Sequence, residues 1–135
     1  MSRVQLALNV SNIDQAVEFY RKLFGAEPAK RRPGYANFAI ADPPLKLVLI
    51  EGAGEPGTLN HLGVEVGSTG EVATEGVRLK REGFDLFQQD GVTCCYALQD
   101  KFWVTGPDRA AWEFYTVLAD APVEQPTACA SNTCG

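Results

Sequence analysis

Val4-Gln5-Leu6-Ala7-Leu8-Asn9-Val10 and Asn60-His61-Leu62-Gly63-Val64-Glu65-Val66 follow one template, position by position. In each, larger apolar residues alternate with small or polar ones, the period-2 pattern of a strand with two different faces. Gln5 in the first stands where His61 stands in the second. A second copy of one strand predicts a duplicated unit, and the flanking sequence bears this out as an expectation.

After the first strand, Ser11 reads as an N-cap with Asp14 in the first turn. Ile13, Ala16, Val17, Tyr20, Leu23 and Phe24 recur at helical spacing until Gly25. Tyr35–Ile40 and Leu45–Ile50 then read as strands around the turn Ala41-Asp42-Pro43-Pro44. After the second strand, Ser68 with Glu71 caps a helix carrying Val72, Ala73, Val77 and Leu79, which ends before Gly83. Val92–Leu98, Lys101–Thr105 and Ala111–Leu118 are strand candidates. Residues 3–50 and 59–118 thus form two strand-helix-strands units in one domain over 1–118. Glu51–Thr58 has the composition of a flexible linker, and residues 119–135 that of a mobile tail.

With 135 residues, 45% of them hydrophobic, the chain can bury a core without metal or disulfide staples. A net charge of -5, with Lys30-Arg31-Arg32 the one basic cluster, argues against nucleic acid as a partner. No apolar run reaches the roughly 20 residues a membrane span needs. Without an export signal, the expected location is the cytoplasm and the four cysteines are expected to be reduced.

If the helices cover the face of Leu6, Leu8, Leu62 and Val64, then Gln5, Ala7, Asn9, His61, Gly63 and Glu65 face the other way. The small residues Ala7 and Gly63 leave room there. Glu113, a carboxylate in an aromatic strand, needs a partner if it is buried. Taken singly, each has an ordinary reading: His61 as a hydrogen-bonded structural residue, Gln5 as a solvated residue near an edge, Glu113 as a surface acid. Their equivalent placement in a repeated unit favours three metal ligands on one side of an ion. That leaves open positions for substrate and dioxygen, as in non-haem Fe(II) chemistry, with an amide replacing one of the usual imidazoles. A neutral amide oxygen is a weak donor, so loose binding of Fe(II) is expected.

Cys94 and Cys95 can be read as small buried residues or as a site for a soft, thiophilic element. In a regular strand they would point to opposite faces, so joint chelation demands a bulge or a loop at the pair, and Gly91–Tyr96 is expected to be a mobile loop. Neither has a Lys or Arg beside it in sequence to lower its pKa.

The paired units with Gln5, His61 and Glu113, together with the segments Ala29–Phe38, Leu59–Val66 and Thr93-Cys94-Cys95-Tyr96, resemble the vicinal oxygen chelate superfamily. Within it they resemble the carbon-arsenic lyases and the cadmium-induced proteins of bacteria. The resemblance implies an α+β fold of two βαβββ units forming a curved sheet around a metal cavity, either within one chain or across a homodimer. It implies an Fe(II)-dependent dioxygenase that cleaves the carbon-arsenic bond of trivalent organoarsenicals, methylarsonite or reduced aromatic arsenicals, to arsenite. Gln5, His61 and Glu113 would hold Fe(II), and the Cys94 and Cys95 thiolates would hold arsenic. Cys129 and Cys134 could pre-concentrate arsenic or bind Cd(II), with turnover either needing them or not.

Two other classes compete: a thiol-based cadmium or arsenite binding protein without catalysis, and a glyoxalase-like isomerase. The isomerase needs a fourth ligand in the last strand of the first unit. Leu47, the residue read there as the counterpart of Glu113, is apolar and argues for an open coordination position.

Overall fold

The computed structural model describes residues 2–94 and 96–120. Arg3–Val10 (β1) leads into helix α1, Ile13–Phe24, followed by β2 (Lys30–Arg32), β3 (Tyr35–Ile40) and β4 (Leu45–Glu51). The order repeats with β5 (Leu59–Glu65), α2 (Thr69–Arg81), β6 (Phe87–Cys94), β7 (Ala97–Thr105) and β8 (Ala111–Asp120). All eight strands join one curled half-barrel sheet in the order β2-β3-β4-β1-β5-β8-β7-β6. Within each unit the first and last strands pair in parallel, β1 with β4 and β5 with β8. The units meet through the antiparallel pair β1–β5, so both lie in one sheet of one chain.

Both helices sit on the convex side. Val17 of α1 packs on Ala36, Phe38, Ile40, Leu47 and Leu49, with Leu6 and Leu8 alongside. Val72 and Leu79 of α2 pack on Val66, Phe102 and Val104, with Val64 and Phe114. These are the strand positions that alternate with Gln5, Ala7, His61, Gly63 and Glu113, which therefore face the concave side.

Several local expectations are corrected. The cap of α1 is Asn12, whose side chain accepts from the Gln15 backbone N–H; Ser11 lies one residue too early. The α2 cap at Ser68 and the left-handed Gly25 after α1 are as expected, Gly25 having φ 64°. The basic cluster Lys30-Arg31-Arg32 is the edge strand β2. With no apolar alternation it carries no strand signature, yet cations are what protect a sheet edge.

The hairpin of β6 and β7 also differs. The turn expected near Gln99 lies inside β7, and Gly91–Cys94, expected as loop, is strand. Cys94 pairs with Ala97, leaving a two-residue connection in which Tyr96 has φ 63°. From Val92 to Cys94 the ladder is regular; the register shift of this hairpin lies earlier, a bulge at Asp90-Gly91 between the pairs Gln89–Lys101 and Val92–Gln99. Gly91 takes φ 61° there and donates its N–H to Asp100 Oδ1 at 2.7 Å. Cys95, Cys129 and Cys134 lie outside the described residues. Strand β8 runs to Asp120, two residues past the expected boundary of the folded domain. Among the described residues no helix is long and apolar enough to cross a membrane.

The parallel registers also correct the counterpart of Glu113. Glu113 lies opposite Gly63, and Val48 lies opposite Ala7, the residue that matches Gly63 in the repeat. Val48, not Leu47, is therefore the equivalent position, while Leu47 faces α1 on the convex side. A parallel strand one residue out of register presents the opposite face. The conclusion that the first unit offers no fourth ligand is unchanged, because Val48 is also apolar.

Candidate metal centre

Gln5, His61 and Glu113 come from three adjacent strands, β1, β5 and β8, and their side chains meet at one point of the concave face. Gln5 Nε2 donates to Glu113 Oε2 at 2.7 Å and lies 3.2 Å from His61 Nε2. His61 Nε2 is 2.8 Å from Glu113 Oε2. All three residues are buried, Gln5 and Glu113 at 0% exposure. Room for this convergence comes from Gly63: a Cβ there would stand 2.9 Å from Glu113 Cγ and 3.0 Å from Gln5 Nε2.

A second layer holds the three in place. Lys101 Nζ, itself 0% exposed, donates to Glu113 Oε1 at 2.8 Å. It occupies the carboxylate oxygen turned away from His61 and Gln5, leaving Oε2 for the shared point. Burial pushes the Glu113 carboxyl up, but the Lys101 charge and the hydrogen bonds from His61 and Lys101 outweigh it. They hold the group far below the ordinary carboxylate range. The Lys101 ammonium lies 5.5 Å from the Trp103 ring centroid and 5.9 Å from that of Tyr115. Trp103 also meets His61 edge to face, with centroids 5.4 Å apart. The Tyr115 hydroxyl donates to Gln5 Oε1. Burial, followed by the charges of Glu65 and Glu113, raises that hydroxyl well above its usual range, so it stays neutral and able both to donate and to accept.

The set fits a first-row divalent metal. Ligands that share an ion at about 2.1 Å and at right angles stand roughly 3 Å apart, close to the separations here. The Gln5 amide now turns its nitrogen inward, which suits a cluster bonded to itself. Turning the amide over brings Oε1 inward and Nε2 to the Tyr115 hydroxyl, which then accepts. Among the described residues no group of three His, Cys, Asp or Glu could hold a metal, so the centre exists only if the amide is counted.

Gly63→Ala is therefore expected to weaken metal binding by at least about 10-fold while the domain still folds, because overpacking costs about 1–3 kcal/mol and falls here on two candidate ligands. Calorimetric titration with Co(II) measures it, and unchanged affinity would contradict the placement.

Sequence reasoning singled out Gln5, His61 and Glu113, which the structure brings together, but missed their neighbours Lys101, Tyr115 and Asn60. Lys101 had a signal. It alternates with Phe102 and Val104, which face α2, so it must point into the half-barrel and find an acid there. Tyr115 shares the inward face of β8 with Glu113, yet a tyrosine there reads as plain core. Asn60 precedes His61 on the opposite phase of the strand, where periodicity predicts no contact, yet its Oδ1 lies 2.8 Å from His61 Nδ1.

Tyr96, in the connection between β6 and β7, reaches the same concave face. Tyr96 packs with Ala7, Tyr35 and Val48, its ring 5.5 Å from that of Tyr35. Lys30 Nζ donates to the Tyr96 carbonyl at 2.7 Å, and Lys30 and Arg32 both pair with Asp120 at the end of β8. Strand β2 thus brings two cations to the residue after Cys95, which the linear sequence does not reveal.

Comparison with known proteins agrees with this fold. The model of the Glyoxalase/Bleomycin resistance protein/Dioxygenase superfamily matches residues 3–114. The chain is 64% identical over 121 residues to the "Cadmium-induced protein CadI" of Mycobacterium tuberculosis, covering 90% of this chain and 80% of that protein. It is 59% identical over 122 residues to the "Trivalent organoarsenical cleaving enzyme" of Thermomonospora curvata, covering 90% and 81%. Among solved structures, the 2,3-dioxygenase LapB from Pseudomonas sp. KL28 superimposes with a TM-score of 0.66 at 15% identity, over 88% of this chain and 42% of that one. A Mn(II)-bound glyoxalase from Novosphingobium aromaticivorans does so with a TM-score of 0.60 at 16% identity, over 93% and 42%. Such low identities speak to the fold alone. With its duplicated units, its single curled sheet and these relatives, the chain belongs to the glyoxalase/bleomycin resistance protein/dioxygenase superfamily, the vicinal oxygen chelate group, in the branch of the cadmium-induced and organoarsenical-cleaving proteins.

Proposed function

We propose that this protein is an Fe(II)-dependent dioxygenase of the cytoplasm that cleaves the carbon-arsenic bond of trivalent organoarsenicals such as methylarsonite. The observation that carries the reading is the convergence of Gln5, His61 and Glu113 at one buried point of the concave face. The name of the 59%-identical relative, an organoarsenical cleaving enzyme, supports the substrate class.

Trivalent arsenic with one organic group has two further valences. The Cys94 and Cys95 thiols exchange with its two hydroxyls, forming two As–S bonds and releasing two waters, so the organic group stays free. Gln5 Oε1, His61 Nε2 and Glu113 Oε2 would hold the iron, which when bound supplies open positions and electrons for dioxygen. Lys101 keeps Glu113 ionised and turned inward, and Tyr115 keeps the Gln5 amide in place. Trp103 walls the point off beside His61. Overall, methylarsonite and dioxygen balance as arsenite and formaldehyde: the As–C bond breaks, one oxygen goes to carbon and one to arsenic.

Anaerobic loading with Fe(II), addition of methylarsonite and admission of air, with arsenic species separated by chromatography, tests the reading. Arsenite that requires both iron and oxygen is the expected product. The second reading, a thiol-based binder of cadmium or arsenite, draws on the name of the 64%-identical relative. It predicts methylarsonite bound and unchanged.

A further inference from the structure

The hydrogen bonds behind His61 form a chain with a fixed direction. The Glu55 carbonyl oxygen can only accept, and it accepts from the Thr58 hydroxyl at 2.6 Å. With that proton committed, Thr58 Oγ1 accepts from Asn9 Nδ2 at 2.9 Å. Asn9 Oδ1 then accepts from Asn60 Nδ2 at 2.9 Å, which turns Asn60 Oδ1 toward His61 Nδ1 at 2.8 Å. A carbonyl oxygen has no proton to give, so Nδ1 must carry one. The nitrogen left for a metal is Nε2, the one that faces Gln5 and Glu113.

We propose that the connection between the two units, Gly54–Thr58, sets the metal-binding tautomer of His61 through Thr58, Asn9 and Asn60. The segment is more than a linker. It is laced to β1, with Asn9 N–H donating to the Thr58 carbonyl and Gly57 N–H to the Asn9 carbonyl, both at 2.9 Å. Gly54 lies flat against the Asn9 amide, where a Cβ would stand 2.6 Å from Nδ2 and 3.0 Å from Cγ. The amide that relays the direction is thus clamped between a backbone lattice and a residue with no side chain. Asn9, Asn60 and Thr58 are positioning residues, since none of them reaches the shared point. The inference rests on His61 being a metal ligand, as proposed above.

His61 is the only histidine in the chain, so ring signals from protein labelled with 15N-histidine belong to it alone. In the full-length protein loaded with Zn(II), a diamagnetic stand-in, a slowly exchanging Nδ1–H signal is expected together with a metal-shifted Nε2. Thr58→Val and Asn60→Leu, checked for a native backbone amide spectrum, are expected to lose the protected Nδ1–H. Their Zn(II) affinity should fall about 10- to 100-fold, the usual weight of an outer partner of a ligating histidine. Gly54→Ala should act in the same direction from the surface. Asn60→Asp keeps an acceptor at Nδ1 and should retain the signal and most of the affinity, which a merely structural role would not predict. Folded Thr58→Val and Asn60→Leu variants with wild-type Nδ1–H and wild-type affinity would overturn the proposal. A wild-type Nε2 that does not respond to Zn(II) would overturn the metal centre beneath it, and with it this inference.

Discussion

His61→Ala is expected to bring arsenite production from methylarsonite down to the level seen without iron, while binding of methylarsonite to the protein stays intact. Even an outer partner of a metal ligand is worth about 10- to 100-fold, so removing the ligand should cost at least that much in metal affinity. Only Gln5 and Glu113 would remain, and the amide is a weak donor. Cys95→Ser should give the complementary result, with metal still bound and methylarsonite held poorly. The pair of variants separates the competing classes. A thiol-based binder loses function with Cys95→Ser and keeps it with His61→Ala. A glyoxalase-like isomerase is damaged by His61→Ala and largely indifferent to Cys95→Ser.

The second large effect concerns stability. Lys101→Met is expected to destabilise the metal-free protein by about 3 kcal/mol, since it leaves the Glu113 carboxylate buried without its cation. For a domain of this size that corresponds to a fall in Tm on the order of 10 °C. Glu113→Gln added to Lys101→Met should recover much of the loss, because the cost lies in the stranded charge and not in the missing packing. The pH dependence has a definite sign. The Glu113 carboxyl is depressed in the folded state, so its stabilising contribution is complete above the ordinary carboxylate pKa, about 4.3, and is lost as pH falls toward its lower folded value. Denaturant titrations of wild type, Lys101→Met and the double variant at neutral pH and near pH 3 measure this. Equal stability of wild type and Lys101→Met would contradict it.

The fold was legible because duplication writes the same strand twice. Val4–Val10 and Asn60–Val66 share a phase, which puts Gln5 and His61 on one face from sequence alone, and Glu113 follows from alternation in an aromatic strand. What stayed hidden depended on pairing between distant strands. The register of β4 against β1 decides between Leu47 and Val48, and both are apolar, so composition could not decide it. The edge strand of Lys30-Arg31-Arg32 has no alternation to read; its strand state comes from pairing with β3. The hairpin turn at Tyr96 follows from the pairing of Cys94 with Ala97, and the bulge at Asp90-Gly91 shifts the register by one residue, neither of which a period-2 pattern can place. The relay through Thr58 and Asn9 crosses from a glycine-rich connection to a strand far away in sequence, and it needed the folded chain to be seen.

A dioxygenase built on Gln5, His61 and Glu113, with substrate held by thiols, would consume dioxygen as it breaks the carbon-arsenic bond. The most direct test is oxygen uptake with the Fe(II)-loaded protein and methylarsonite, followed beside arsenite release in the same vessel. One dioxygen consumed per arsenite formed, and neither with His61→Ala, is the predicted result. Arsenite released without oxygen uptake, or methylarsonite retained unchanged by the iron-loaded protein in air, would contradict the account.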